Sequence, residues 1–403
     1  MSPRLALTNS TNVLYNPSSR LVAKTARSRV LNQPRVFSTA VQDSGNQTLL
    51  EPWDTHKIEC NGDYREEAFL EDPTKPLYEF QKKMPKLPVP QVKDTLDRLV
   101  PTVLPLTENE EEAESFKACI ASFEAETEHL QERLLKRYEE FSKTDSSWLQ
   151  HWWNTMGYLQ VRCRSPINVS YYFHLQDDPT VFVGGGDVQV RRAASLLWHA
   201  AEFRYGVVSG TKPQETLGKK KAPLCSTAFK YMFHACRIPK KDQDSYAIYD
   251  PSRYTHAIVA CKGHFFSVDF LDERGQVIPV KILEQRIQQC VDLAKAQAPA
   301  LELGWLTAQD RDEWAENRNI LLEAGGVAME EALEKVQSGA LMLCLDDEEP
   351  ISRTECAHIM LHGVNPQDGE NKPCNRFFDK SIQLIVAKNG KTGFLGEVRF
   401  SRS

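Results

Sequence analysis

Two apolar runs set almost back to back constrain this chain more than any other feature. His256-Ala-Ile-Val-Ala-Cys261 and His264 to Phe270 are separated only by Lys262-Gly263. Short apolar runs joined by a two-residue turn with glycine predict a β-hairpin. The turn at Arg274-Gly275 predicts a third strand over Gln276 to Val280. A helix should follow over 281–297, because Ile282, Leu283, Ile287, Cys290, Val291 and Ala294 share one face. Two further short strands are expected, at Leu341–Leu345 and at Ser381–Ala387, the second ending in the turn Lys388-Asn389-Gly390-Lys391. Strands and helices interleave without a regular repeat. Hairpins and long crossovers together predict an α/β protein with a mixed sheet flanked by helices.

The helical signals lie mostly upstream. Met84-Pro85-Lys86-Leu87-Pro88-Val89-Pro90 has three alternate prolines. Each proline fixes φ and lacks an N–H, so this piece is extended and cannot be a central strand. A helix should begin just after it, with Val92, Leu96 and Leu99 on one face. From Glu110 to Lys143, Phe116, Cys119, Ile120, Phe123, Leu130, Leu134, Tyr138 and Phe141 recur at three- and four-residue steps. That periodicity predicts one long amphipathic helix. Asp187 is a good N-cap for a helix running through Leu196, Leu197 and Ala200 toward Arg204. Thr307 and Asp310 read as a capping box opening another.

Composition excludes some functions. The 403 residues are 41% hydrophobic with a mean hydropathy of −0.46, enough for a sizeable core. No apolar run reaches the ~20 residues that a membrane-spanning helix needs. A net charge of −6 argues against nucleic acid as a partner. The ten cysteines are scattered, and none pairs at the spacing of a zinc or redox motif. They read as thiols of a reducing compartment.

Charge is distributed unevenly. Residues 1–42 hold Arg4, Arg20, Lys24, Arg27, Arg29 and Arg35 but no acidic residue. An Arg-rich, Ser-rich, acid-free start is the composition of a mitochondrial presequence, with Arg35-Val36-Phe37-Ser38 similar to a matrix processing site. Residues 43–75 are polar and weakly patterned and read as a linker.

No complete catalytic constellation is readable from residue types alone. Gly184-Gly185-Gly186 precedes a helix, but no phosphate-binding motif completes it, and the acidic cap Asp187 opposes an anion. Cys356, His358 and His362 could share a helix face, yet the ligand set is too small for zinc, so no metal is expected. Lys219, Lys220 and Lys221 read as a solvated loop that could steer an anion. His199 and His234 fall in expected helices and read as structural.

A family resemblance adds what residue types do not supply. Met84 to Leu99 is similar to the proline-rich opening of the choline/carnitine acyltransferase family, with Met84 where Leu or Ile is usual. The run Arg376-Phe-Phe-Asp379-Lys380 through Asn389-Gly390 to Gly396-Glu397 resembles the strand and turn leading into that family's active site. Between them Trp152-Trp153-Asn154, Tyr158-Leu159, Pro223-Leu224-Cys225, Cys236-Arg237-Ile238-Pro239, Leu306-Thr307, Arg311 and Trp314 follow in family order. The resemblance covers residues 76–397, and Gly393 to Glu397 is most like the carnitine acetyltransferase branch.

The resemblance implies the first lobe of a two-lobed α/β fold with the reaction centre in a tunnel between lobes. It implies reversible transfer of a short acyl group between coenzyme A and carnitine. Coenzyme A and acetyl-coenzyme A are then co-substrates, and no permanently bound cofactor is expected. Trp153 and Tyr158 match positions lining the carnitine side, although aromatics packed in a core fit those positions equally. The family's catalytic histidine is expected where Val398 stands, and valine cannot accept a proton. Residues 398–403 therefore read as a non-family tail, and with the catalytic histidine and the second lobe both missing from the resemblance, this chain is expected to be inactive. Val398-Arg399 can be encoded as GTAAGA, which resembles an intron start, so a retained intron or an incomplete gene model is the expected origin. The alternative is a non-catalytic binding or regulatory fragment. A matrix location is expected, with peroxisomes open to a longer form.

Overall fold

The computed structural model describes residues 14–15, 56–62, 70–143, 147–183, 185–298, 300, 302–363 and 374–397. They belong to two compact units: Met1–Gln81 with Thr155–Ser403, and Lys82–Asn154. Apart from Leu14–Tyr15, the expected presequence lies outside the described residues, as do Gly184, Val398 and the tail.

The larger unit is organised on a mixed sheet. Its strands, with those of two smaller sheets, run in chain order as β1 (Leu14–Tyr15), β2 (Lys57–Cys60), β3 (Tyr171–His174), β4 (Thr216–Leu217), β5 (Ala222–Pro223) and β6 (Ala235–Ile238). They continue as β7 (Ser245–Tyr249), β8 (His256–Cys261), β9 (His264–Asp269), β10 (Met342–Asp346), β11 (Ile382–Ala387) and β12 (Thr392–Gly396). The main sheet has the order β1-β9-β8-β10-β11-β12-β3, and β2-β7-β6 and β4-β5 form separate sheets. β10 is parallel to both β8 and β11, whereas β8–β9 and β11–β12 are antiparallel hairpins. The expected mixed sheet is therefore present. β2 falls within the stretch 43–75 that reads as a linker, and it pairs with β7.

Alternation along the strands places the core on both faces. Ala257, Val259, Leu343, Leu345 and Val386 face one side, where they meet Leu197, Leu283, Ile287 and Cys290. Those last four come from the helices Val188–Val208 and Val280–Ala296. Ile258, Ala260, Met342, Cys344 and Ile385 face the other side and meet Trp314, Val336 and Met360. Both faces are covered, so the central strands carry almost no polar residue and read as continuous apolar runs.

Several local signals were decisive as read. The Asp187 carboxylate accepts from Gln189 N at 2.9 Å and Val190 N at 3.3 Å, capping the Val188–Val208 helix. Lys262 and Gly263 turn the β8–β9 hairpin with φ of 51° and 75°. Glycine meets that demand without strain, and lysine tolerates it at a small cost.

Other expectations need correction. Glu110 to Lys143 is two helices, Glu110–Glu126 and Glu128–Ser142, because Thr127 leaves the helical region at φ −108° and ψ 12°. Its hydroxyl bonds back to Phe123 O at 2.6 Å, a local alternative that competes with the helix ladder. Gln276 to Val280 is not a strand. Asp272 gathers Arg274 N and Gln276 N into a tight turn, leaving a single bridge between Leu271 and Val277. Pro279, with no N–H for a ladder, then precedes the helix at Val280. Thr307 caps nothing. It lies in the 3₁₀ turn Leu303–Ala308, buried, donating to Gly304 O and accepting from Phe378 N. His234 is not helical but sits at φ 56° just before β6.

The smaller unit, Lys82–Asn154, carries the helices Val92–Val103, Glu110–Glu126, Glu128–Ser142 and Gln150–Asn154. Arg137 is its organising residue. Its guanidinium lies 4.0 Å from the Trp152 ring and 4.5 Å from the Phe141 ring, and its Nε donates to Trp148 O. Trp148 in turn donates from Nε1 to Leu87 O at 3.1 Å, which ties the proline-rich segment to the helices.

Candidate active site

Strand β12 delivers Gly396 to the rim of the sheet, and Glu397 follows with its N–H bound to Ser381 O at 3.1 Å. The Glu397 side chain is only 2% exposed. Its Oε1 accepts the hydroxyl proton of Tyr158, and Arg237 Nη1 lies 4.0 Å away. Tyr158 comes from a π-helical turn, Thr155–Leu159, closed by Gln160 N to Thr155 O at 2.8 Å. Such one-turn widenings re-aim a side chain and recur at functional sites. Here the turn points the Tyr158 ring at the Arg237 guanidinium, 4.2 Å from its centroid.

Arg237 is the hub. It extends from β6 and donates to the Tyr158 carbonyl at 3.0 Å, Ser165 Oγ at 3.1 Å and Asp244 Oδ2 at 2.6 Å. Asp244 also accepts from Arg311 Nε at 2.7 Å and from Arg162 Nη2 at 3.1 Å. Arg311 Nη2 and Asp379 Oδ1 form an ion pair at 2.8 Å without hydrogen-bond alignment, while Asp379 Oδ2 accepts from Trp314 Nε1 at 2.7 Å. Arg237, Asp244, Arg311 and Asp379 are fully buried.

Burial alone would make these charges costly, and each is held by an opposite one. Burial opposes the charge of Arg237, but Tyr158, Asp244, Glu397 and Asp379 together hold it more firmly protonated than usual. For Asp379, burial wins and pushes the carboxyl upward against the pull of Arg311. Two buried arginines thus face three carboxylates, and Arg162 reaches in from the surface to add positive charge at Asp244.

A second buried cluster lies beneath. Arg204 Nε donates to His234 Nε2 at 2.6 Å, so His234 Nδ1 must carry the proton it gives to Ser338 O at 2.9 Å. Lys380 Nζ donates to Gln337 O at 2.5 Å, and burial lowers its pKa to about 8. His234 is neutral and sealed from solvent, so it cannot act as a base on an external substrate.

The sequence-derived site residues separate. Tyr158 is 4% exposed and built into the network, whereas Trp153 belongs to the smaller unit and is 38% exposed. Val398 lies outside the described residues. Cys356, His358 and His362 share the helix Arg353–His362, with Cys356 buried and His358 exposed. Arg237, Asp244, Arg311, Asp379 and Glu397 were not legible as a unit. Four of them stood inside quoted motifs, but nothing in residue order said that they meet.

A cleft of about 660 Å³ lies at the other end of the β12–β3 pair. It is lined by His174, Asp177, Arg353, Cys356 and Lys391 and includes none of the network. Chemically, the network can hold the chain leaving β12 in one place. It offers no exposed group able to take a proton.

Comparison with known proteins meets this geometry. The family model for Choline/Carnitine o-acyltransferase matches residues 87–400. The mitochondrial carnitine O-acetyltransferase of Saccharomyces cerevisiae is 28% identical over 325 residues, covering 79% of this chain and 46% of that protein. The muscle isoform of carnitine O-palmitoyltransferase 1 from Homo sapiens is 32% identical, covering 80% and 40%. The peroxisomal carnitine O-octanoyltransferase of Bos taurus is 27% identical, covering 78% and 50%. The chain therefore spans about half the length, or less, of the relatives it matches. The match takes in the end of the proline-rich segment, the Arg237 hub and the strand that delivers Glu397, so this chain belongs to the choline/carnitine o-acyltransferase family.

Proposed function

We propose that this chain supplies the carnitine-side lobe for reversible transfer of a short acyl group between coenzyme A and carnitine. In that reaction the carnitine hydroxyl gives up its proton and attacks the thioester; the new ester forms as the C–S bond breaks and the thiolate regains a proton. A base must carry that proton in both directions. The observation that carries the reading is the buried Tyr158–Glu397–Arg237 group, which anchors Glu397 beside a residue proposed to face carnitine. Trp153 is proposed as the second such residue. The next position, Val398, has no proton-accepting group. The 403-residue chain alone is accordingly proposed to bind carnitine without turning it over.

Calorimetry and a radiolabel exchange assay test this together. L-carnitine should bind the purified chain, and the Trp153→Ala/Tyr158→Ala double variant should lose binding by at least about tenfold. Absence of carnitine binding to the parent sinks the carnitine-side role. Acetyl-, octanoyl- and palmitoyl-coenzyme A should each give no acylcarnitine above that variant. Turnover with any of them overturns the proposed inactivity, and a preference for the longer chains overturns the short-chain reading.

A mitochondrial matrix location is proposed on the arginines and missing acids of residues 1–42. Residues 1–42 fused to a fluorescent protein should enter mitochondria; a cytosolic or peroxisomal pattern would count against it.

A further inference from the structure

The strands β4 and β5 form a small hairpin that belongs to neither large sheet. Thr216 pairs with Pro223 and Leu217 with Ala222, and Gly218-Lys219-Lys220-Lys221 makes the tip. The base is firmly built. Gln214, buried, accepts Phe80 N through Oε1 at 2.7 Å and donates through Nε2 to Leu224 O at 2.7 Å. Its own N–H goes to Pro76 O at 3.1 Å, and Leu224 N closes on Glu215 O at 2.8 Å. Above this base every residue from Glu215 to Ala222 is exposed. A locked base under an exposed tip makes a prong held out from the body.

The tip has an unusual chemistry. Lys219, Lys220 and Lys221 enter no ion pair among the described residues. The carboxylate at the base, Glu215, is already taken by Lys212 at 2.8 Å, and Lys212 is itself held over the rings of Phe203 and Phe229. Three adjacent cations therefore stand uncompensated on a protein whose net charge is −6. Lys221 also adopts φ 49°, a left-handed conformation in which glycine or asparagine would be less strained. Beside them Leu217 is 65% exposed.

Mutual repulsion and an exposed leucine both oppose stability in water, and one surface relieves both. We infer that the β4–β5 hairpin is a docking prong for an anionic lipid bilayer. The Lys219, Lys220 and Lys221 ammonium groups meet lipid phosphates, their stems lie along the acyl boundary, and Leu217 leaves water at the same boundary. A free phosphate ester would satisfy the lysines but leave Leu217 in water. The attachment is peripheral and reversible, and no helix among the described residues is long and apolar enough to cross a membrane.

Vesicle co-sedimentation of the full chain tests this. Phosphatidylcholine vesicles containing phosphatidylserine should retain the protein at low salt and release it at high salt, and phosphatidylcholine alone should not retain it. Each lysine near an anionic surface is worth a factor of about five, so the K219Q/K220Q/K221Q variant should partition about a hundredfold more weakly. Leu217→Ser should weaken binding several-fold without changing its salt dependence, with unchanged thermal melting confirming both folds. Equal retention by neutral vesicles overturns the inference. So does a triple variant that binds as the parent does, which would assign the attraction to other cations such as those in residues 1–42. Unchanged vesicle binding by the triple variant, with lost binding of polyglutamate or coenzyme A, overturns it in favour of a soluble anionic partner.

Discussion

Replacing Asp244 by alanine is expected to cost about 3–5 kcal/mol of folding stability, the largest effect of any single substitution in the network. Asp244 is the carboxylate shared by Arg237 at 2.6 Å, Arg311 at 2.7 Å and Arg162 at 3.1 Å. Arginine cannot shed its proton to escape burial, so without Asp244 two sealed guanidiniums lose their shared counter-charge. Arg237 would keep only the more distant Glu397 and Asp379, and Arg311 the unaligned pair with Asp379. Set against a typical total stability of ~5–15 kcal/mol, the variant should be poorly folded. Asp244→Asn should lose less, because its amide oxygen still accepts one of the bonds. Asp97→Ala removes an exposed helix pair with Lys93 and should leave the urea midpoint unchanged. The check is urea unfolding followed by near-ultraviolet circular dichroism. A loss for Asp244→Ala below about 1 kcal/mol would mean that water reaches these arginines and the network is not sealed.

Mild acid should destabilise the protein well before most of its carboxylates titrate, by about 3 kcal/mol between pH 6.5 and pH 5. The cause is a pair of sealed histidines. Burial, and then the facing Arg204 guanidinium, hold His234 well below the usual imidazole range. Burial, and then Lys335, hold His256 at about 3, with its Nε2 bonded to Lys335 O at 2.9 Å. Well above pH 6.5 both are neutral whether the chain is folded or not, and they contribute nothing to the pH dependence. As pH falls below 6.5, the unfolded chain binds two protons that the native state refuses, so stability falls. Each histidine contributes about 0.7 kcal/mol per pH unit at pH 6.5, rising toward about 1.4 as the unfolded imidazole becomes fully protonated. Asp379, pushed upward by burial, has the opposite sign and acts only where it takes up its own proton. Urea midpoints at pH 7.5, 6 and 5 measure the slope. His234→Gln with His256→Asn should flatten it, since glutamine can still accept from Arg204 and donate to Ser338 O. A flat parent profile, or an equal slope in the double variant, would defeat the assignment.

Parts of the architecture were legible because their signals are local. The Lys262-Gly263 turn, the Asp187 cap and the 3.6-residue period over 281–297 depend on torsions and neighbours a few positions apart. Where competing local bonds intervened, the reading failed. Thr127 bonded back onto Phe123 and cut a continuous periodicity in two, and Asp272 folded a would-be strand into a turn. Motif order placed the chain in its family and pointed to Tyr158, Arg237, Arg311, Asp379 and Glu397 without saying that they touch.

That last step belongs to the tertiary structure. Tyr158 and Glu397 are 239 positions apart, and Asp244 and Arg311 are 67 apart. An aspartate reads identically in sequence whether it is solvated or sealed between arginines. Its energy differs because Coulomb interactions depend on spatial distance and on the exclusion of water. Local patterning therefore settled the β8–β9 hairpin and the helices Val188–Val208 and Val280–Ala296. Only the return path of the chain decided which charges are buried together, and with them the site that holds Glu397 in place.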